Sequence, residues 1–373
     1  MKPRSSWLAL LVVAGCVSSP PPSRIPDFPA ISATEGRERV LALLPGGLPD
    51  RSGWAADIYA AVATLQVAPS RENLCAIIAV TAQESGFKVD PPVPNLSAIA
   101  WKEIDRHAER AGVPKLLLHA ALALPSSNGR SYNDRLDSVT TELDLSDIYD
   151  DLIGRVPLAR RFFADNNPVR TGGPMQVGVA FAREQVKSRP YPYPRGESLR
   201  AEVFTRRGGL YFGIAHLLDY TAPYDRYLYR FADFNAGQYA SRNAAFQKVV
   251  IEASGVPLVL DGDLLRYEQG EAAKEPGSTE LAVRSLASRL EMTPAEIRRD
   301  LESATTMKFE ASRVYTRTFE LAERAAGKPF ARAVVPAIEL HSPKFSRKLT
   351  TAWFAQRVGE RQRACLASAE RRG

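Results

Sequence analysis

One acidic residue, Glu84, stands at the predicted end of an apolar helix, where a carboxyl group can serve as a general acid. It follows Ile77 by seven residues and Val80 by four, near the buried side of a helix that Ser70 begins and Gly86 ends. Partial burial and the negative helix terminus both raise the pKa of a carboxyl group. A proton donor that works near neutral pH needs such a shift. The alternative is an exposed glutamate at a helix end.

Two later fragments carry polar groups beside small residues. In Gly173-Pro174-Met175-Gln176-Val177, preceded by Gly172, the glycines permit close approach of the backbone to a ligand, and the Gln176 amide can donate and accept hydrogen bonds. In Phe234-Asn235-Ala236-Gly237, Asn235 is expected to cap the next helix or to contact a ligand. Each fragment alone also fits an ordinary turn or helix start.

Together and in this order, the three fragments resemble the active-site signature of lytic transglycosylases and goose-type lysozymes, which includes Gly-Leu-Met-Gln-Ile and Ala-Tyr-Asn-Ala-Gly motifs. The resemblance covers about residues 70–250. It implies a lysozyme-like helical domain that cleaves the glycan strands of peptidoglycan without a cofactor or a metal. Carried over by position, it makes Glu84 the catalytic residue and assigns substrate binding to Ser85, Met175, Gln176, Phe234 and Asn235.

The resemblance implies a mechanism with one carboxyl group. Glu84 would protonate the glycosidic oxygen between N-acetylmuramic acid and N-acetylglucosamine, and then accept the proton of the muramyl C6 hydroxyl as that oxygen attacks C1. The product is a 1,6-anhydromuramic end, and a second carboxylate is not needed because the nucleophile belongs to the substrate. A hydrolytic version needs a second acid, for which Asp233 and Asp90 are nominal candidates.

Three departures weaken the match. Pro174 replaces the leucine of the family's second motif. The tyrosine of the family's third motif is Phe234 here, so the hydroxyl that reaches towards the catalytic glutamate is missing, and Tyr239 is a candidate substitute. A long insertion, about residues 88–170, separates the first two motifs; it can wall the cleft, bind an envelope protein or close the site. The alternatives to an enzyme are a non-catalytic peptidoglycan-binding or receptor lipoprotein on the same scaffold, and a structural lipoprotein of an envelope complex.

The N-terminus predicts export and lipid anchoring. Residues 1–15 read as a signal peptide with a basic start and a short apolar run, and Val13-Ala14-Gly15-Cys16 resembles a lipobox, which implies acylation of Cys16. Val17 follows the cysteine, which by the family rule implies the outer membrane, with the periplasmic face favoured over the cell surface. The proline-dense residues 16–35 predict an extended tether. A plain secretory signal is the alternative.

Composition describes an ordinary globular protein, with 45% hydrophobic and 24% charged residues. The formal charge of +7 falls to +5 without the signal peptide, a mild excess that suits an anionic envelope polymer. No stripe of basic and aromatic residues indicates nucleic acid. Cys75 and Cys365 remain in the exported part, where they form a disulfide or stay apart, because sequence cannot show the distance between them.

Periodicity predicts a mainly α protein. After the tether, we expect a lysozyme-like domain over 36–255 and a helical C-terminal extension over 256–373 that packs on it. Helical patterns cover about 97–124, 133–152, 176–188, 198–220, 235–253, 279–290, 293–325 and 348–369. Val256 to Leu260 is expected to form a short strand. Arg242, Asn243 and Gln247 are expected to line a cleft or to face solvent.

Overall fold

The structure of the protein is a computed structural model that describes residues 31–155, 167–189, 191–194, 196, 198–222, 224–268, 270–340 and 348–371. The signal peptide, Cys16 and most of the tether lie outside these residues. The described part is mainly helical, as predicted. The first helix begins at Ala33, inside the last residues assigned to the tether.

Seventeen α-helices span the described residues. They are α1 Ala33–Leu43, α2 Arg51–Thr64, α3 Arg71–Glu84, α4 Leu96–Arg110, α5 Lys115–Leu122, α6 Tyr132–Asp137, α7 Glu142–Arg155, α8 Val179–Ser188, α9 Leu199–Phe204, α10 Arg206–Leu218, α11 Tyr227–Ala236, α12 Ala240–Ser254, α13 Ser278–Ser285, α14 Ala287–Leu290, α15 Pro294–Leu301, α16 Arg313–Ala326 and α17 Thr351–Glu370. A short 3₁₀ helix covers Met307–Ala311.

Three antiparallel two-stranded ribbons complete the described fold. They pair β1 Thr171–Gly172 with β2 Val177–Gly178, β3 Tyr267–Glu268 with β4 Glu271–Ala272, and β5 Glu339–Leu340 with β6 Leu349–Thr350. The predicted strand at Val256 to Leu260 was wrong, since this segment runs without regular structure and makes no ladder. β3 follows it after the turn at Gly262, and Val256 and Val259 of the apolar run are exposed.

The largest core surrounds α3. The Ser70 hydroxyl accepts from the Asn73 amide and begins the helix, as predicted. Leu74, Ile77, Ile78 and Thr81 are buried, and so are the residues between them, because helices pack on α3 from several sides. The other helices that contribute to this core are α1, α2, α8, α9, α10, α11 and α17.

α17, near the end of the chain, packs along α3. Cys365 and Cys75 form a disulfide with 5.7 Å between their α carbons. The Gln362 side chain donates to the Glu72 carbonyl, and the Arg361 guanidinium donates to Gln83 at the other end of α3. The last helix therefore belongs to the same packed unit as the helix that carries Glu84.

Two smaller cores lie outside this unit. The inserted helices α4 to α7 enclose their own cluster around Leu96, Tyr132, Leu136 and Ile148. α12 to α16 enclose another around Phe246, Phe309 and Phe319. The cores do not divide the chain at residue 255, because α12 contributes to the third core and α17 returns to the first.

Arg242, Asn243 and Gln247 lie inside the protein, which corrects the prediction that they line a cleft or face solvent. The Arg242 guanidinium donates to the carbonyls of Ala304 and Thr306. Asn243 and Gln247 bond the 261–263 turn. These side chains form hydrogen bonds with backbone groups that are not paired within a helix. They therefore join α12 to the segments after it.

Candidate functional site

Glu84 is the last residue of α3 and Ser85 is its C-cap. Gly86 and Phe87 follow with φ values of 59° and 63°, so the chain reverses at the predicted helix stop. The Phe87 ring is buried edge-on against Trp54, with 5.2 Å between ring centroids. This packed reversal fixes the position of the Glu84 side chain at the end of the helix.

The Glu84 carboxyl group has no hydrogen-bond or ion-pair partner among the described residues. Part of the side chain is exposed, but the protein around the carboxyl group excludes most of its water. This desolvation raises the pKa of Glu84 to about 8. At neutral pH the group is therefore mainly protonated, which is the state that a general acid requires.

The second fragment forms the turn between β1 and β2 and packs on α10. A β carbon on Gly173 would lie 2.3 Å from the Val203 carbonyl oxygen, and the φ of 71° there also favours glycine. Met175 is completely buried against Gly213 of α10. It therefore packs in the core, which corrects the expectation that it contacts a sugar ring.

Gln176 lies at the end of this turn and has a φ of 50°. Its amide nitrogen donates to the Gly173 carbonyl at 3.1 Å, and Thr171 donates to its amide oxygen at 3.5 Å. The side chain is partly exposed, and each amide group retains capacity for a further hydrogen bond. Of the polar groups in the turn, the Gln176 amide is the one placed to meet a ligand.

Ser85 joins the first fragment to the second. Its hydroxyl lies 2.8 Å from the Pro174 carbonyl oxygen and 3.2 Å from that of Thr81, and the residue is buried. Because this hydroxyl is turned inward, Ser85 positions the 173–177 turn beside Glu84. The prediction that it binds substrate directly does not fit this geometry.

The third fragment ends α11. Asn235 lies in the last turn of that helix and does not cap α12, whose N-cap is Tyr239, so the expected capping role was wrong. Its side-chain oxygen accepts from the Thr351 hydroxyl at 2.7 Å. Phe234 is buried, and its ring is parallel to that of Phe354 with 6.4 Å between centroids. Both residues therefore meet α17.

His216 is a site residue that sequence reasoning missed. Its ring packs edge-on against Phe181 and Phe234, and its Nε2 lies 3.2 Å from the Phe234 carbonyl oxygen. Burial lowers the pKa of His216 to about 4, so the ring is neutral at pH 7. The sequence does show a single histidine within the apolar run of α10, but it does not show which group that histidine contacts.

The two nominal second acids occupy different surroundings. Asp233 is completely buried and accepts from the hydroxyls of Tyr220 and Tyr224 and from the amides of Tyr239 and Ser241, at 2.7 to 3.1 Å. Asp90 lies in the insertion, where burial raises its pKa. Hydrogen bonds from Thr141 and Leu143 oppose this rise. Tyr239, the candidate substitute phenol, makes no hydrogen bond to Glu84 among the described residues.

The three fragments meet in one place. Phe87, Met175, Val177 and Phe234 all belong to the core around α3. Ser85 bonds the second fragment directly, and α17 contacts both α3 and the third fragment. Within the described ranges, no three histidine, cysteine, aspartate or glutamate side chains are arranged to hold a metal ion. The described residues place one protonated carboxyl group beside a polar turn.

Residues 47–368 match the model of a family described as a protein of unknown function (DUF1615). The chain belongs to this family. It is also 51% identical over 361 residues to the uncharacterized protein YaiW of Escherichia coli (strain K12), and the alignment covers 97% of each chain. No solved structure matches the chain significantly.

The family match begins just before α2 and ends within the last turn of α17. It therefore includes Glu84, the inserted helices and both cysteines of the disulfide. The insertion and the returning C-terminal helix are consequently part of the family's common sequence and are not additions of this chain.

Proposed function

We propose that the protein is a peptidoglycan lytic transglycosylase on a lysozyme-like fold. The observation that carries the proposal is the Glu84 carboxyl group, which has no partner among the described residues and a pKa of about 8. An unpaired, desolvated carboxyl group costs folding free energy, and it is useful where a proton must be donated at neutral pH.

Glu84 donates its proton to the oxygen of the bond between N-acetylmuramic acid and N-acetylglucosamine, and this bond breaks. The resulting carboxylate then accepts the proton of the muramyl C6 hydroxyl as that oxygen bonds to C1. The reaction leaves one 1,6-anhydromuramic end and one new hydroxyl end, and Glu84 recovers its proton. No water is consumed, so a single carboxyl group serves both steps.

The neighbouring residues have supporting roles in this mechanism. Ser85 holds the 173–177 turn against the end of α3, and Gln176 offers its amide to the hydroxyl or acetamido groups of a sugar. Asn235 holds α11 to α17 and so positions the apolar wall that includes Phe234. The four hydrogen bonds to Asp233 leave it in a structural role rather than as a second acid.

The proposed location is the outer membrane, with Cys16 acylated and the domain held in the periplasm by the tether. Within the described ranges, no helix has the length and apolar character that a membrane crossing requires. The lipobox-like sequence ending at Cys16 supports the anchor. In this position the Glu84 site would face the peptidoglycan.

Digestion of purified sacculi, followed by mass spectrometry of the released muropeptides, tests the activity. The full chain should release anhydromuramyl products, and Glu84→Gln should lower the rate by about 10²–10⁴-fold. Glu72→Gln is the matched control, because Glu72 is exposed in the first turn of the same helix. The control should retain the wild-type rate, and products that persist in Glu84→Gln would contradict the mechanism.

A second candidate is a non-catalytic peptidoglycan-binding lipoprotein. The absence of a phenol at position 234 and of any hydrogen bond to Glu84 among the described residues favours it. In that case the wild type co-sediments with sacculi and releases no anhydro ends. A chain that neither cleaves nor binds sacculi would instead have the receptor or structural role.

A further inference from the structure

A cleft of about 1020 Å³ opens at the other end of α3 from Glu84. Its walls are the loop before α3, the connection between α10 and α11, and the segment at 305–307. Asn73 lines it and lies eleven residues before Glu84, a distance of about 16 Å along a helix. Neither Glu84 nor Gln176 lines the cleft, so it is separate from the proposed catalytic site.

Tyrosine rings form much of the wall, and three of their hydroxyls already donate to protein groups. Tyr220 and Tyr224 donate to Asp233, and Tyr227 donates to Asn73 at 2.8 Å. These three rings therefore offer flat apolar surface to a ligand, and their hydroxyls are not free to donate to it.

Two arginines supply charged donors in the cleft. Arg226, exposed at the start of α11, forms no ion pair within the described ranges. Arg230 lies over the Tyr220 ring at 4.8 Å and meets only carbonyl oxygens, those of Leu217 and Tyr220. Arg189, by contrast, is paired with Asp219 at 2.9 Å. The cleft thus holds two guanidinium groups without a carboxylate partner.

This arrangement selects a ligand with negative charge. Guanidinium groups bind carboxylates through paired hydrogen bonds, and an adjacent aromatic wall covers the apolar part of the same ligand. Asp225 also lines the cleft as an exposed carboxylate, and it can receive an ammonium group. Carboxylates together with an amine are the charge pattern of an acidic peptide.

We propose that this cleft binds a peptide with free carboxylates, of the class attached to peptidoglycan as stem peptides. The assignment of this peptide to peptidoglycan rests on the proposed function. The recognition of its carboxylates rests on the cleft alone. Binding of a stem here, about 16 Å from Glu84, would hold a glycan strand in place by its peptide while the sugar chain passes the catalytic group.

Isothermal titration calorimetry of the full chain with the tripeptide L-alanyl-γ-D-glutamyl-meso-diaminopimelate tests this proposal. The unmodified tripeptide should bind, and the same tripeptide with its carboxylates amidated should bind at least tenfold more weakly. Arg226→Gln should raise the Kd by about tenfold or more, since a hydrogen bond to a charged group is lost. Arg299→Gln, at an exposed arginine outside the cleft, is the matched control and should leave the Kd unchanged.

The Glu84→Gln variant separates this proposal from the proposed activity. It should bind the tripeptide as the wild type does, even though it no longer cleaves sacculi. A wild type that cleaves sacculi but does not bind the tripeptide overturns the cleft proposal alone. Equal binding of the amidated tripeptide, or binding of lipopolysaccharide through Arg226 in the absence of tripeptide binding, overturns it as well.

Discussion

Glu84 and Asp233 are both carboxyl groups at helix ends near the main core, and their surroundings are opposite. Asp233 is fully buried and accepts four hydrogen bonds, from two phenols and two backbone amides. Glu84 keeps some exposure and accepts none from the described residues. Burial raises the pKa of both, but only for Asp233 do hydrogen bonds to the charged form oppose that rise.

This difference separates a structural carboxylate from one suited to chemistry. Four donors surround Asp233 and hold the turn between α11 and α12, so the carboxylate stabilises the fold. Glu84 bonds to no group among the described residues, and its desolvation is a cost to stability. A residue that costs free energy and has no partner in that part of the chain is better explained by what it does to a ligand.

The largest effect on stability is expected at Asp233. Asp233→Asn keeps the volume but removes acceptor capacity, which leaves buried donors unpaired and should lower the free energy of unfolding by about 3 kcal/mol. Urea denaturation followed by circular dichroism measures the loss. Asp225→Asn, the same change at an exposed position, should alter stability by less than about 0.5 kcal/mol. If both substitutions lowered the free energy of unfolding equally, the structural role assigned to Asp233 would be wrong.

The presence of the Glu84 carboxyl group should make the stability of the folded protein depend on pH. The folded state holds this proton up to about pH 8, whereas the unfolded state loses it near 4.5. The wild type should therefore lose stability relative to Glu84→Gln as pH rises from 4.5 to 8, by about 1–2 kcal/mol after allowance for the partial exposure. Denaturation of both proteins between pH 4.5 and 9 checks this, and a constant difference would show that the carboxyl group is not desolvated.

The smallest effect is expected at Phe234. Phe234→Tyr introduces the phenol of the lytic transglycosylase motif that this segment resembles, and a hydrogen bond to Glu84 should raise the rate of anhydro-product release by about tenfold. The rate is measured on sacculi at pH 7. Phe234→Leu, which adds no hydroxyl, should not increase it. An unchanged rate in Phe234→Tyr would mean that Glu84 works without a phenol.

Sequence predicted the elements whose signals are local. The helix class, the Ser70 cap and the stop at Gly86 were confirmed, because each depends on a few neighbouring residues. The lysozyme-like fold and the activity stay predictions. They depend on three short motifs, and sequence alone does not place those motifs around one site.

Contacts between distant segments were not predictable in the same way. The inward turn of Ser85, the burial of Met175 and the interior position of Arg242 depend on which helices pack there, and periodicity does not identify a packing partner. For the same reason, Asp233 and Glu84 could not be told apart before the donors around Asp233 were known.

The packing of α17 on α3 determines when, during synthesis, folding of this protein can be completed. The helix that bears Glu84 is synthesised among the first hundred residues, but its covering helix and disulfide partner come from the last twenty-five. A chain that stops before residue 351 leaves one side of α3 and Cys75 uncovered, however well the middle folds. Synthesis of the entire polypeptide thus precedes assembly of the Glu84 site, and a premature stop or a clipped C-terminus yields a protein without it.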